Sequence, residues 1–296
     1  MQMTPALRFE LGYGTVRGCY YGPRGRVERK TVGAATVGVR RDHGEGGGQN
    51  TAEHDHKLRP RTGRSFYSHP MATLTWLGHA SFRLDTDGGK RIYIDPFPDG
   101  PTFPESEKDP DRADLIYLTH GHGDHISGAV PFQKKTGATV LGMVELCGWL
   151  SSNGISEDDL VAFNKGGTVE RDGIRFTMTN AFHSSSAPDG SYTGEPTGVV
   201  IRFDGKSIYF AGDTCVFGDM QLIARLYKPD VAVLPIGDHF TMGPEEAALA
   251  LELLGNPRCV PGHWGTFGLL TGTPDELAGL TDAQVEKLEP GDTVEL

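Results

Sequence analysis

The sequence predicts a mixed α/β fold in which helices cover a pair of sheets, a layered α/β sandwich. From residue 71 onward, strand-like segments with alternating or continuous apolar residues are interleaved with helix-like segments. Glycines and the turn sequences DGG and DGK separate these segments. At 296 residues, the chain is long enough to bury a core as one large domain or two small ones.

The first predicted strands are TLTWLGH, SFRLDT and RIYIDPF, and the last two are joined across DGG, which is typical of a hairpin. The continuous apolar segment DLIYLTH is typical of a buried strand. SGAVPFQKKTG and VELCGWLSSNG are expected to be helices, since each closes with a glycine just past its last turn.

The second half begins with the predicted strand GIRFTMTNAFHS and the hairpin TGVVIRFDGKSIYFAGD, which turns at DGK. DVAVLPIGD is expected to be another buried strand. GPEEAALALELLG is expected to be a helix with proline in its first turn and glycine at its end. RCVPGHWG is expected to form the last short strand.

The composition changes near residue 70. Residues 1–70 hold 12 Lys+Arg and 6 Asp+Glu and have few periodic apolar segments. We expect this stretch to be a disordered N-terminal extension, with Met71 as the natural start of the main domain at 71–296. A basic arm that binds an anionic partner is the alternative, but its charge is diffuse.

The composition of the main domain excludes several classes of partner. With 16 basic and 33 acidic residues, residues 71–296 carry a balance of −17, which repels phosphate backbones and argues against nucleic acid. No apolar run is long enough for a membrane span, and no signal peptide is recognised. The four cysteines form no C-x-x-C pair, so a cytoplasmic location is expected. The sequence also allows a homo-oligomer.

The segment LIYLTHGHGDHISG places His120, His122, Asp124 and His125 within six positions. Three imidazoles and a carboxylate this close are costly unless a positive ion lies among them. Further candidate ligands, His183, Asp213 and His263, each follow a predicted strand, where loops carry chemistry.

The order of these residues resembles that of the metallo-β-lactamase superfamily. In both, an H-x-H-x-D-H motif is followed by a distant histidine, an aspartate after an apolar strand and a final histidine. The likeness is to its uncharacterised metal-dependent hydrolases and the ascorbate-6-phosphate lactonase-like group. It covers about residues 73–296 through WLGHASF, IDPF, THGHGDH, HSSS, AGDT, PIGDHFTMGPEEA and PGHWGTF.

This resemblance implies an αββα four-layer sandwich with two divalent metal ions at one edge, between the sheets. It implies a first metal on His120, His122 and His183. It implies a second on Asp124, His125 and His263, with Asp213 bridging both. A donor set of imidazole and carboxylate without thiolate suits Zn²⁺ first, with Mn²⁺, Fe or Ni²⁺ as alternatives.

Four further residues have open roles. Asp95 resembles a carboxylate that fixes a ligand imidazole, although it could instead cap the turn before Pro96. His239 is the candidate proton donor and, with Asp124, the candidate catalytic residue; substrate contact or a core position are its alternatives. His79 is expected either to face the metals or to make a structural hydrogen bond, and Cys215 is a weaker ligand candidate.

We therefore expect a metal-dependent hydrolase that cleaves a small ester, lactone or phosphoester with a metal-bridged hydroxide. The enzymatic alternative is a phospholipase D-like phosphodiesterase, which shares segments like WLGHA and DPF. The non-enzymatic alternative is a metal-binding or sensor module, against which the intact set of seven ligand candidates argues.

Overall fold

The computed structural model describes residues 71–296. Its strands, β1 to β13 in chain order, are Thr73–Trp76, Phe82–Asp85, Arg91–Ile94, Leu115–Tyr117, Thr139–Met143, Leu160–Phe163, Thr168–Arg171, Ile174–Asn180, Thr197–Phe203, Lys206–Phe210, Val231–Pro235, Arg258–Gly262 and Thr293–Glu295. Its α-helices, α1 to α6, are Gly123–Ile126, Ala129–Thr136, Val144–Ser152, Met220–Tyr227, Pro244–Leu254 and Pro274–Ala278. The predicted extension at 1–70 lies outside the described residues, and the boundary at Met71 stays a prediction.

The strands form two mixed sheets. The first has seven strands in the order β13-β1-β2-β3-β4-β5-β6, and the second has six in the order β12-β11-β10-β9-β8-β7. In the first sheet β3 to β6 are parallel, whereas β13, β1, β2 and β3 pair antiparallel. In the second sheet β10 to β12 are parallel and β7 to β10 pair antiparallel.

The central strand β11 of the second sheet is buried on both faces. In β11, Val231 and Val233 join the large core that includes residues of both sheets, while Ala232 and Leu234 join a second core beneath α4 and α5. Because successive side chains of β11 enter opposite cores, every residue of the strand is apolar and its sequence is a continuous apolar run. With α2 and α3 packed on the first sheet and α5 on the second, the layers run helix, sheet, sheet, helix. The αββα sandwich is therefore confirmed.

Local signals in the sequence placed several elements correctly. The hairpin between β9 and β10 turns at Asp204 and Gly205, whose φ angles of 48° and 82° are left-handed. Helix α5 begins at Pro244 and is closed by Gly255 with φ of 85°. Helix α2 likewise ends at Gly137, with φ of 72°.

The expectation that RCVPGHWG forms the last strand is wrong. A further strand, β13, pairs antiparallel with β1 and brings Val294 opposite Leu74 at the edge of the first sheet. This strand has only three residues, so its extended state comes from the distant partner and from the buried side chain of Val294. No helix in the described part of the chain is long and apolar enough to cross a membrane.

Candidate metal centre

The predicted ligands come from loops that follow strands running in one direction within each sheet. His120 and Asp124 follow β4, His183 follows β8, Asp213 follows β10 and His263 follows β12. The pairing makes β1, β3 and β4 point the same way in the first sheet, as β8, β10 and β12 do in the second. The loops thus meet at one edge, between the two sheets, where the resemblance implies a metal site.

One group of donor atoms belongs to His120, His122 and His183, and these atoms lie within 4.8 Å of one another. Nε2 of His120 is 3.0 Å from Nδ1 of His122. The ring of His183 lies 5.3 Å from that of His120 and 5.1 Å from that of His122, centroid to centroid. The three side chains assigned to the first ion are therefore brought together.

A second group contains the three residues assigned to the second ion, together with His79. Donor atoms of His79, Asp124, His125 and His263 lie within 4.8 Å of one another. Three of the four side chains are buried, and Asp124 is half-buried. The fourth member is His79, for which the sequence allowed either a position facing the metals or a structural hydrogen bond.

Asp213 lies between the two groups. Its Oδ2 is 3.6 Å from Nε2 of His183, in the first group. The same oxygen is 3.4 Å from Nε2 of His125 and 3.2 Å from Nε2 of His263, in the second. One carboxylate oxygen therefore faces imidazoles from both groups, which is the position that a bridging ligand needs.

These distances and the unpaired atoms fit a metal-binding role. Ligand atoms about 2.0–2.1 Å from a tetrahedral zinc lie about 3.3 Å from each other, close to the three distances around Asp213 Oδ2. Two buried atoms at the centre, Nε2 of His125 and Oδ1 of Asp213, have no hydrogen-bond partner. Buried polar atoms without partners are costly, and divalent ions would satisfy both.

The electrostatics of the cluster favour a positive charge at its centre. Burial lowers the pKa of His120 well below its ordinary value, and it also lowers the pKa of His122 and His183, so these imidazoles are neutral and keep lone pairs for a metal. Burial opposes charge on His125 too, but Asp213 and Asp95 outweigh it and raise the pKa of that imidazole. Burial opposes charge on Asp213, but His263 and His125 hold the pKa of its carboxyl well below the ordinary value.

Asp95 orients His125 from behind. Its Oδ2 accepts a hydrogen bond from Nδ1 of His125 at 2.8 Å, and its two oxygens also accept from the backbone and hydroxyl of Thr119 at 2.8 and 2.5 Å. A proton on Nδ1 leaves Nε2 as the atom that can bind a metal. The contact is the one expected for an imidazole-fixing carboxylate rather than for a simple turn cap.

Backbone strain accompanies this arrangement. His79, Asp95 and His263 have φ angles of 51°, 46° and 51°, in the left-handed region. Non-glycine residues there cost about 1 kcal/mol or more each, although Asp and His tolerate the region better than most. Strained residues of this kind cluster at functional sites because the surrounding structure holds them in place.

Close packing explains why position 121, within the His cluster, is a glycine. A Cβ added at Gly121 would lie 2.1 Å from Oγ1 of Thr193. Gly121 therefore allows the backbone between His120 and His122 to pass directly against the loop that follows β8. Gly123 has no such constraint, since its added Cβ would meet only Pro188 at 3.4 Å.

His239 and Cys215 are not among the residues whose donor atoms converge. His239 lies on an exposed loop after β11, where its ring contacts Phe240 and its backbone N–H donates to Oδ1 of Asp238. Cys215 is exposed although it lies two residues from Asp213. The role of His239 as a proton donor stays a prediction.

Two exposed phenylalanines lie next to residues of the donor groups, one in space and one in sequence. Phe267 is 41% exposed and its ring lies 5.4 Å from that of His79. Phe182, next to His183, is 54% exposed and packs edge-on against Phe217 at 5.2 Å. Two exposed aromatic rings thus lie on residues that contact or adjoin members of the donor groups.

A family model described as a beta-lactamase superfamily domain matches residues 90–264. This range contains all seven predicted ligands, from His120 to His263. The chain belongs to the metallo-β-lactamase superfamily.

Relatives in this superfamily extend the match over most of the described residues. A UPF0173 metal-dependent hydrolase of Herpetosiphon aurantiacus is 49% identical over 211 residues, which are 69% of this chain and 88% of that protein. One from Roseiflexus sp. is 46% identical over 235 residues, 75% of this chain and 96% of that protein. The expectation of a metal-dependent hydrolase is confirmed at the level of this class.

Solved structures agree with the fold. Igni18, a metallo hydrolase from Ignicoccus hospitalis, superposes with a TM-score of 0.68 at 37% identity and covers 76% of this chain and 98% of its own. YhfI of Bacillus subtilis, a metallo-β-lactamase fold protein, has a TM-score of 0.58 at 14% identity and covers 76% of this chain and 99% of its own. The second likeness concerns the fold alone.

Sequence reasoning missed two supporting residues of the superfamily site. Thr119 fixes Asp95, and Thr266 contacts His79 at 3.0 Å. Small hydroxyl residues are common in loops, so nothing in their local pattern distinguished them. Only their position next to the histidine motifs could have drawn notice.

Proposed function

We propose that this chain is a dinuclear metal-dependent hydrolase that acts on a small ester, lactone or phosphoester. The observation that carries the proposal is the position of Asp213 Oδ2, which faces His183 on one side and His125 and His263 on the other at 3.2–3.6 Å. A carboxylate that faces imidazoles of both groups supports two ions rather than one.

The residues that would hold the ions fall into the groups described above. The first ion would take His120, His122 and His183; the second would take Asp124, His125 and His263; Asp213 would be shared. When bound, two divalent ions supply hydroxide from a shared water near neutral pH and polarise a carbonyl or phosphoryl oxygen. The donor set favours Zn²⁺, with Mn²⁺, Fe or Ni²⁺ as the alternatives to test.

The rest of the site serves the substrate. Phe182 and Phe267 offer apolar surface to the part of the substrate that does not react. His239, exposed on its loop, would donate a proton to the leaving group. No Ser or Cys nucleophile is required, which agrees with an exposed Cys215 that lies outside both donor groups.

Two aspects of the function remain predictions. One is the branch of the superfamily, for which the sequence indicates the ascorbate-6-phosphate lactonase-like group. The other is the cytoplasmic location. The strongly acidic balance of residues 71–296 supports a small molecule rather than nucleic acid as the substrate.

The experiment is a hydrolysis panel on the full chain. An aryl ester, a lactone and bis-nitrophenyl phosphate are each offered to enzyme as purified, after chelation, and after reloading with zinc or manganese. Turnover that a chelator abolishes and metal restores supports the proposal, and the fastest substrate names the class. Preference for the phosphodiester favours the phospholipase D-like alternative. Bound metal without turnover on any substrate favours a sensor module and contradicts the proposal.

A further inference from the structure

His79 occupies an unusual place at the edge of the second donor group. It is 1% exposed, and both of its ring nitrogens have partners. Nε2 lies 3.0 Å from Oδ2 of Asp124, and Nδ1 lies 3.0 Å from Oγ1 of Thr266. The imidazole therefore joins the loop after β12 to the aspartate of the H-x-H-x-D-H motif.

The partners determine which nitrogen carries the proton. An ionised Asp124 can only accept, so Nε2 of His79 must donate to it. Nδ1 then has a lone pair and accepts from the hydroxyl of Thr266, which is closer to that nitrogen than to its other acceptor, the backbone oxygen of Trp264 at 3.3 Å. The order of donation runs from Thr266 to His79 to Asp124.

This order of hydrogen bonds makes His79 unsuited to bind a metal and suited to hold Asp124 in position. A protonated Nε2 has no lone pair for a metal, although it lies with the donor atoms of Asp124, His125 and His263. Its hydrogen bond occupies one lone pair of Asp124 Oδ2, which also lies 3.9 Å from Nε2 of His125, so the carboxylate keeps further lone pairs for an ion. Partners of this kind, placed behind a ligand, set its orientation and its basicity.

The backbone of the same residue supports a second ligand. The carbonyl oxygen of His79 accepts from the backbone N–H of His263 at 2.8 Å and from the indole N–H of Trp76 at 2.9 Å. The two imidazole rings lie 4.0 Å apart, centroid to centroid. His79 thus touches two of the three residues assigned to the second ion.

We infer that His79 is a positioning residue for the second ion, and that Thr266, through His79, fixes the orientation of Asp124. The inference rests on the proposed dinuclear site and deepens it, since it assigns a role to two residues outside the seven ligands. Loss of these hydrogen bonds selectively lowers the affinity of the site for the second ion. The first ion, on His120, His122 and His183, is not affected.

The test is a zinc titration of the metal-free full chain, in competition with a chromogenic chelator that resolves two binding steps. The variants are His79→Leu, which removes both hydrogen bonds, and His79→Gln, whose side-chain amide can still donate to Asp124. Thr266→Val removes the hydroxyl with little change of volume, and Thr266→Ser restores it. Thermal unfolding of each metal-free variant verifies that the fold is kept.

We expect His79→Leu and Thr266→Val to weaken the second step by about 10–100-fold and to leave the first step within a few-fold of wild type. His79→Gln and Thr266→Ser should restore most of the loss. If His79→Leu does not fold, the Thr266 pair gives the answer alone.

Three outcomes overturn the inference. Unchanged second steps in His79→Leu and Thr266→Val would show that the contacts do not position Asp124. Equal loss in His79→Gln and His79→Leu, with Thr266→Val unchanged, would make His79 a ligand instead. An equal loss of affinity in both zinc-binding steps of His79→Leu and Thr266→Val would mean that the two residues stabilise the structure in general. A wild-type chain that binds fewer than two ions would instead contradict the proposed function itself.

Discussion

The carboxylate of Asp95 lies 2.8 Å from Nδ1 of His125, and both side chains are buried. On its other side, Nε2 of the same imidazole faces Asp213 Oδ2 at 3.4 Å. His125 therefore stands between a carboxylate that fixes its tautomer and one that we assign to the ions.

Asp95→Asn should weaken metal binding while preserving the fold. The amide oxygen can still accept from Thr119, but the amide NH₂ would face Nδ1 of His125 and favour the tautomer with its proton on Nε2. Such changes typically cost about 10–100-fold in metal affinity. Zinc titration of the metal-free protein measures the loss, and Asp99→Asn, at an exposed position nearby, is the matched control. Equal affinities in the two variants would contradict the assigned role of Asp95.

Two alanine substitutions in the His cluster should have opposite effects. Gly121→Ala places a Cβ against Thr193 and should destabilise the fold by about 1–3 kcal/mol, because overpacking forces the backbone to move. It should also reduce zinc content, because the same backbone carries His120 and His122.

Gly123→Ala is the control in the same motif, since Gly123 lies at the start of α1 and its added Cβ has an ordinary contact. It should be neutral or stabilising by a few tenths to about 1 kcal/mol. Urea unfolding of both variants measures the difference, and equal midpoints would show that the contact with Thr193 is not restrictive.

Phe267→Ala should change substrate binding more than chemistry. Phe267 packs against His79 and exposes its ring at the rim, so its removal takes apolar contact from the substrate but no donor atom from the ions. For an aryl ester we expect KM to rise about 5–30-fold, which corresponds to about 1–2 kcal/mol of apolar contact, with kcat within a few-fold. Leu280→Ala, at an exposed position on the loop after α6, is the control. A fall in kcat at constant KM would contradict this role.

Metal removal should lower the thermal stability of the wild-type chain. Ions that bind only the folded state at 100 times their Kd contribute about 2.7 kcal/mol each. For a domain of this size that corresponds to a fall in Tm of about 5–10 °C for each ion removed, and about 10–20 °C for two ions.

Asp213→Ala, which lacks the proposed shared ligand, should show a much smaller fall. His239→Ala, whose side chain lies outside both donor groups, should respond like wild type but turn over more slowly. A chelator response in Asp213→Ala equal to that of wild type would contradict the bridging assignment.

Local sequence signals predicted those parts of the fold that short-range chemistry determines. The turn at Asp204 and Gly205 and the ends of α5 were readable because each depends on a few adjacent residues. Helix α6 also carried a readable signal that was missed, the capping box of Thr273 and Glu276. Strand β13 could not be read, since its three residues are held by pairing with β1, more than 200 positions away.

The same distinction applies to the site. The spacing of His120, His122, Asp124 and His125 was sufficient to indicate a metal. Positions after predicted strands made His183, Asp213 and His263 candidates, and the resemblance assigned them to ions. Their convergence depends on two sheets meeting at one edge. The contacts of His79 with Thr266 and Asp124 connect loops that are distant in sequence, so no local pattern could predict them.

The most direct test of the dinuclear assignment is the number of divalent ions per chain, measured by elemental analysis after purification without chelators. We predict close to two ions for wild type and a loss of metal in Asp213→Ala, whose carboxylate would otherwise be shared. One ion or none in wild type, even after reloading with zinc and with manganese, would contradict the account.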